Sequence, residues 1–121
     1  MAPTPSTSLV ELAMRTHLDF PEDRDALAAA VRLSLDWFAA DHPGRAVEVR
    51  VPPFRVVQVL GGTSHKRGTP PAVVEMAPHV WIELVTGKRH WGELTACGAI
   101  IASGERSDLS ALFHAPLINF R

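Results

Sequence analysis

The chain has 121 residues, which is enough for one domain with a single apolar core. Its net charge of −1 argues against nucleic acid as a partner, because such binding needs an excess of basic residues on one face. A single cysteine excludes an internal disulfide, and no apolar run approaches the roughly 18 residues that a membrane-spanning helix needs. We therefore expect a cytoplasmic protein without stable membrane insertion.

The N-terminal third predicts a tail and two helices. Residues 1–7 carry two prolines and few apolar side chains, so we expect a disordered tail before a single domain over residues 8–121. Apolar residues recur near helical spacing from Leu9 to Leu18, which predicts a short amphipathic helix. A second helix should run from about Pro21 to Ala40, with Pro21 at its first position.

Two strands should follow the helices. Residues 46–51 alternate, with valines on one face and charged side chains on the other, which predicts a half-buried strand. After two prolines, residues 54–60 predict a second strand, and Val56, Val57 and Val59 indicate burial on both of its faces.

The segment Thr63–Pro71 is polar and has no periodicity, so it predicts a long loop. Three side chains that can carry positive charge, His65, Lys66 and Arg67, stand together between two glycines. Such a cluster is a candidate binding site for a phosphate or carboxylate group. The alternative is a solvated surface loop.

The C-terminal third alternates short elements with glycines. After a β-rich run, a helix should end at Gly87, and a second short helix from His90 to Cys97 should end at Gly98. A strand from Ala99 to Ser103 should lead through Gly104 to a last helix, for which Ser107 is the expected N-cap.

This order of elements resembles the sterol carrier protein-like family. The residues that carry the likeness are Leu84-Val85-Thr86-Gly87-Lys88, then Ala96-Cys97-Gly98, then Ile100, Ala102 and Gly104. A small bacterial branch of that family is similar over more of the chain, from Val51-Pro52-Pro53-Phe54 through Arg67-Gly68-Thr69-Pro70-Pro71 to Ser103-Gly104.

The resemblance implies an α+β fold with helices on one face of a sheet. We expect two N-terminal helices and then a mostly antiparallel sheet of four or five strands. The resemblance also implies a tunnel for a hydrophobic small molecule or lipid between the sheet and the helices. The expected lining residues are Trp81, Leu84, Val85, Trp91, Leu94, Ile100, Leu112 and Phe113.

No pattern of residues predicts catalysis or metal binding. The histidines, at positions 17, 42, 65, 79, 90 and 114, lack the spacing that aims two imidazoles at one ion. Cys97 lies between small residues at the end of a short helix, where we expect it to be buried and unreactive. No catalytic residue, metal or cofactor is therefore expected.

Three classes of function stay open on the sequence. The first is a carrier of a fatty acyl chain, sterol or other apolar molecule. The second is a protein-interaction domain with a filled core and no small-molecule ligand, because apolar patterning does not distinguish a filled core from a hollow one. The third is an enzyme or enzyme accessory, since a related domain occurs in thiol-dependent isomerases, although their metal-binding helical bundle has no counterpart here.

Overall fold

A computed structural model describes residues 4–61 and 72–118 and confirms an α+β fold. The elements in chain order are α1 (Thr7–Asp19), α2 (Arg24–Asp41), β1 (Val47–Val51), β2 (Arg55–Val59), β3 (Ala72–Met76), α3 (Pro78–Val85), α4 (Trp91–Ala96), β4 (Ile100–Ser103) and a 3-10 helix (Ser110–Phe113). None of the helices in these residues has the length and apolar character needed to cross a membrane.

The two N-terminal helices pack against each other, and a polar side chain caps each of them. The Ser6 hydroxyl accepts a hydrogen bond from the Leu9 amide at 3.1 Å. The Asp23 carboxylate accepts from the amides of Asp25 and Ala26 at 2.9 and 3.2 Å. The start predicted at Pro21 is therefore wrong, because Asp23 caps α2 and Pro21 lies in the turn before it.

The four strands of the described residues form a mixed sheet in the order β2-β1-β3-β4, so the predicted mostly antiparallel sheet is wrong. Strand β1 pairs with β2 antiparallel and with β3 parallel, and β3 pairs with β4 antiparallel. The parallel pair arises because β2 ends, and β3 begins, at the end of the sheet where β1 starts. Val47 is accordingly in register with both Val59 and Ala72.

The two faces of the sheet differ sharply in burial. The inner face, which carries the helices, consists mainly of buried side chains, such as Val49 and Val74. The outer face carries Glu48, Arg50 and Glu75 in the middle and two apolar residues at its edges. One of these, Val56, is 54% exposed, so β2 is not buried on both faces as predicted.

The last helical element of the described residues is the short 3-10 helix. Ser107 does not cap it, contrary to the prediction. The Asp108 carboxylate accepts instead from the backbone N–H of Ser110 at 2.9 Å. Hydrogen bonds from Ser110 hold the pKa of Asp108 below its usual value, because they favour the charged carboxylate.

Candidate functional site

Helix α3 and the turn after it form one wall of the candidate site. Five of the residues in α3 are buried, and they are Val80, Trp81, Ile82, Leu84 and Val85. The helix ends in a turn at Gly87, whose φ of +75° suits glycine. A Cβ at this position would lie 2.6 Å from Cγ of Pro116, so the C-terminal segment passes directly over the turn.

Four aromatic rings meet between the helices, and we call Phe38, Trp81, Trp91 and Phe113 the aromatic cluster. Phe113 is central: it stacks on Phe38 at 5.3 Å and on Trp91 at 6.0 Å between ring centroids. It also meets Trp81 edge to face at 6.0 Å. These offset and edge-on arrangements are the favourable geometries for aromatic pairs. The cluster joins α2, α3, α4 and the 3-10 helix.

A buried hydrogen bond fixes the orientation of Trp81. Its indole N–H donates to the Ser34 hydroxyl at 2.8 Å, and that hydroxyl donates to the Ala30 carbonyl at 2.6 Å. Both Ser34 and Trp81 are 0% exposed. Because a buried donor without a partner is costly, Ser34 lets a tryptophan occupy the apolar interior in one defined position.

The residues from 109 to 118 cross over this region as a strap, and we call them the C-terminal strap. The strap brings Phe113 into the aromatic cluster. Beyond the 3-10 helix, the amides of Leu117 and Ile118 donate to the Val85 carbonyl at 2.9 and 3.2 Å. Leu109 and Ile118 are also buried. The C-terminal strap therefore covers the aromatic cluster on the side of α3.

The predicted lining residues lie close together in the structure. Seven of them belong to one buried cluster with the inner face of the sheet, and Leu112 packs against it partly exposed. Their role as ligand contacts stays a prediction. Sequence reasoning did not place Phe38 or Ser34 in the site. The signal for Ser34 was a hydroxyl on the apolar face of α2, next to Leu35 and four residues before Phe38.

Cys97 is exposed, which overturns the prediction that it is buried. It is the C-cap residue of α4, and its Sγ lies 3.7 Å from a guanidinium nitrogen of Arg89. This hydrogen bond and the carboxylates of Glu93 and Glu83 raise the pKa of Arg89. These polar groups lie outside the aromatic cluster and link the end of α3 to α4.

Two further predictions concern polar ligands. The candidate anion-binding residues His65, Lys66 and Arg67 lie outside the described residues, so their role stays a prediction. Across residues 4–61 and 72–118, no three His, Cys, Asp or Glu side chains come together in a way that could hold a metal ion.

Comparison with known proteins gives one finding on the family. A family model described as "Bacterial SCP ortholog" matches residues 23–116, which is more than half of the chain. No curated protein matches the chain significantly. The matched segment contains α2, the whole sheet, α3, α4 and the aromatic cluster. The chain therefore belongs to the bacterial sterol carrier protein-like family, as its C-terminal motifs predicted.

Proposed function

We propose that the protein binds and carries an apolar, lipid-like molecule without catalysing a reaction, and that it does so in the cytoplasm. The ligand is a fatty acyl chain or a sterol-like molecule. Family membership supports the carrier role, and the aromatic cluster supports its location between the sheet and the helices.

The single observation that carries the proposal is the way Phe113 enters the interior. It lies between Phe38 and Trp91, but it belongs to the C-terminal strap and not to a long helix or a strand. Removing its ring from that position would leave a space bounded by apolar walls. We propose that the ligand takes the place of the Phe113 ring and that the strap shifts to admit it.

The energetics of such binding are favourable. A chain that buries ten methylenes gains about 8 kcal/mol before the cost of association, at about 0.8 kcal/mol for each methylene. Losing the stacking of Phe113 costs on the order of 1 kcal/mol for each aromatic pair. Phe113 makes three such pairs, so ten methylenes leave about 5 kcal/mol, which corresponds to a dissociation constant of about 0.2 mM. Micromolar affinity therefore needs at least about fourteen buried methylenes, before the cost of association and without any specific polar contact.

The test is a titration with fatty acids of increasing length, each kept below its micelle concentration. The chain has three tryptophans, so a Trp37→Phe background leaves Trp81 and Trp91 as reporters in the proposed site. Affinity should increase with acyl length until the space is full, and both the fluorescence and the melting temperature should respond.

A matched pair of variants locates the site. Phe113→Leu shrinks the ring that must move, so it should bind the same fatty acid several-fold more tightly. Val56→Ala shortens an exposed apolar side chain on the outer face of the sheet, away from the aromatic cluster, and should leave the affinity unchanged. Tighter binding in both variants, or in neither, would place the ligand elsewhere.

The second candidate function is a protein-interaction domain with a filled core. The ring contacts within the aromatic cluster favour it, because they already occupy the centre of the interior. If neither fluorescence nor melting temperature responds at any acyl length, the carrier proposal fails and this candidate replaces it.

A further inference from the structure

Among the described residues, the ring contacts of the aromatic cluster include one ionisable side chain, the imidazole of His42. It meets the Phe38 ring at 4.8 Å between centroids, with 53° between the two planes. Phe38 is 1% exposed, whereas the side chain of His42 is 24% exposed. The imidazole therefore lies between the apolar interior and the solvent.

The backbone of His42 is held in place by two elements of the fold. His42 is the C-cap residue of α2, and its amide donates to the carbonyls of Phe38 and Ala39 at 3.1 and 3.3 Å. Its carbonyl accepts from the amide of Leu60 at 2.9 Å, directly after β2 ends. The imidazole is therefore presented from a fixed position, as a binding site for a polar group requires.

The imidazole nitrogens of His42 have no hydrogen-bond partner within residues 4–61 and 72–118. The nearest carboxylate oxygen, Oδ2 of Asp41, lies 3.9 Å from Nε2, which is too far for a hydrogen bond. By contrast, the indole N–H of Trp81 is already bonded to Ser34. A neutral imidazole carries one N–H donor, and a protonated imidazole carries two. His42 therefore has a donor to offer to a ligand at the edge of the aromatic cluster.

We propose that His42 binds the carboxylate of a fatty acid whose acyl chain occupies the aromatic cluster, and that it selects acids over neutral lipids of the same length. This inference rests on the proposed function. It narrows the ligand class to apolar carboxylic acids and assigns the specificity to one residue.

The ring of Phe38 connects the two parts of the proposed ligand site. Phe113 and His42 both contact this ring, at 5.3 and 4.8 Å between centroids. An acyl chain in the place of the Phe113 ring would lie against Phe38, and the imidazole contacts that same ring. The carboxylate would then stay at the partly exposed edge of the cluster, which avoids the high cost of burying a charge without a partner.

The test compares dodecanoic acid with dodecanol, which have the same chain length and differ in the head group. Each is titrated below its solubility limit, near pH 7 where the acid is ionised, with the tryptophan fluorescence of the Trp37→Phe protein as the readout. His42→Phe keeps a ring against Phe38 and removes the imidazole nitrogens. Because a hydrogen bond to a charged group is stronger than one between neutral groups, this change should lower the ratio of acid affinity to alcohol affinity at least about fivefold.

Asp41→Asn is the matched control. It changes the neighbouring side chain, which is 77% exposed, and leaves the imidazole in place. The ratio of acid affinity to alcohol affinity should therefore stay the same or increase, because a negative charge near the carboxylate is removed. Circular dichroism and melting curves establish that both variants are folded. An unchanged ratio in His42→Phe, or a fall of the same size in Asp41→Asn, overturns the proposal.

Nuclear magnetic resonance of the wild-type protein gives a check that needs no variant at position 42. The ring resonances of His42 should shift more with dodecanoic acid than with dodecanol, because only the acid brings a negative charge to the imidazole. Equal shifts overturn the proposal. If dodecanol binds and the ratio does not depend on His42, this inference fails and the carrier function stands. If neither probe binds, both fail.

Discussion

The buried hydrogen bond between Trp81 and Ser34 gives a prediction whose size follows from the structure. Ser34→Ala removes the hydroxyl that accepts the indole N–H at 2.8 Å, and both residues are fully buried. An unpaired buried donor costs about 1 to 3 kcal/mol. Alanine offsets about 0.5 kcal/mol of this, because it favours the helix more than serine does. The expected net loss in the free energy of unfolding is therefore about 0.5 to 2.5 kcal/mol.

Urea unfolding followed by far-UV circular dichroism measures this loss, and the melting temperature should fall by about 3 to 10 °C. Ser8→Ala is the control, since Ser8 is an exposed residue in the first turn of α1 and its replacement should change little.

A double-mutant cycle with Trp81→Phe separates the hydrogen bond from the change in helix propensity. Once the indole N–H is gone, Ser34→Ala should cost about 1 kcal/mol less than it does in the wild type. Additive effects, or a Ser34→Ala variant as stable as the wild type, would refute the role assigned to Ser34.

Two more predictions concern His17 and Cys97. Burial lowers the pKa of His17 from 6.5, and its Nδ1 is buried without a hydrogen-bond partner among the described residues. His17 therefore binds a proton more readily in the unfolded chain than in the folded protein. The neutral imidazole contributes stability above pH 6.5, and that contribution is lost as the pH falls through the lowered pKa. His17→Leu should lose less stability than the wild type between about pH 7 and pH 5 in urea unfolding, and equal losses would contradict this. Cys97 should react with a thiol reagent in the folded protein at a rate near that of a free thiol, because it is exposed. Mass spectrometry measures the labelling of Cys97. If the thiol reacts only after the protein is unfolded, it is protected in the folded state and the prediction is wrong.

The sequence was sufficient for the local elements of this fold and insufficient for their long-range pairing. Periodicity in the N-terminal half and glycine positions in the C-terminal third located the α-helices and strands to within a few residues, because burial on one face leaves a repeating pattern and glycine ends short helices. The direction of β3 leaves no such pattern. Val47 pairs with residues twelve and twenty-five positions later, and only the path of the intervening chain determines that β3 runs parallel to β1.

In the candidate site, too, the local features were predictable from the sequence and the long-range contacts were not. The apolar residues of α3 and α4 were predictable from spacing, but the contact of Phe113 with Phe38 joins segments that are distant in the sequence. Cys97 was misplaced because its small neighbours suggested packing. At about 100° per residue it lies about 120° from Trp91 around α4, on the side away from the core. The position of Cys97 around the helix therefore predicts its exposure better than the composition of its neighbours does.

The limits of the family match differ from the limits of the folding unit. Residues 23–116 omit α1, yet Val10 and Met14 of α1 are buried in the same core as the aromatic cluster. They also omit Leu117 and Ile118, whose amides tie the strap to α3. Excising the matched segment would expose an apolar strip of α2 and release the strap that carries Phe113. Family boundaries mark shared ancestry here, and a shortened protein cut at those boundaries would be a poor basis for ligand or assembly measurements.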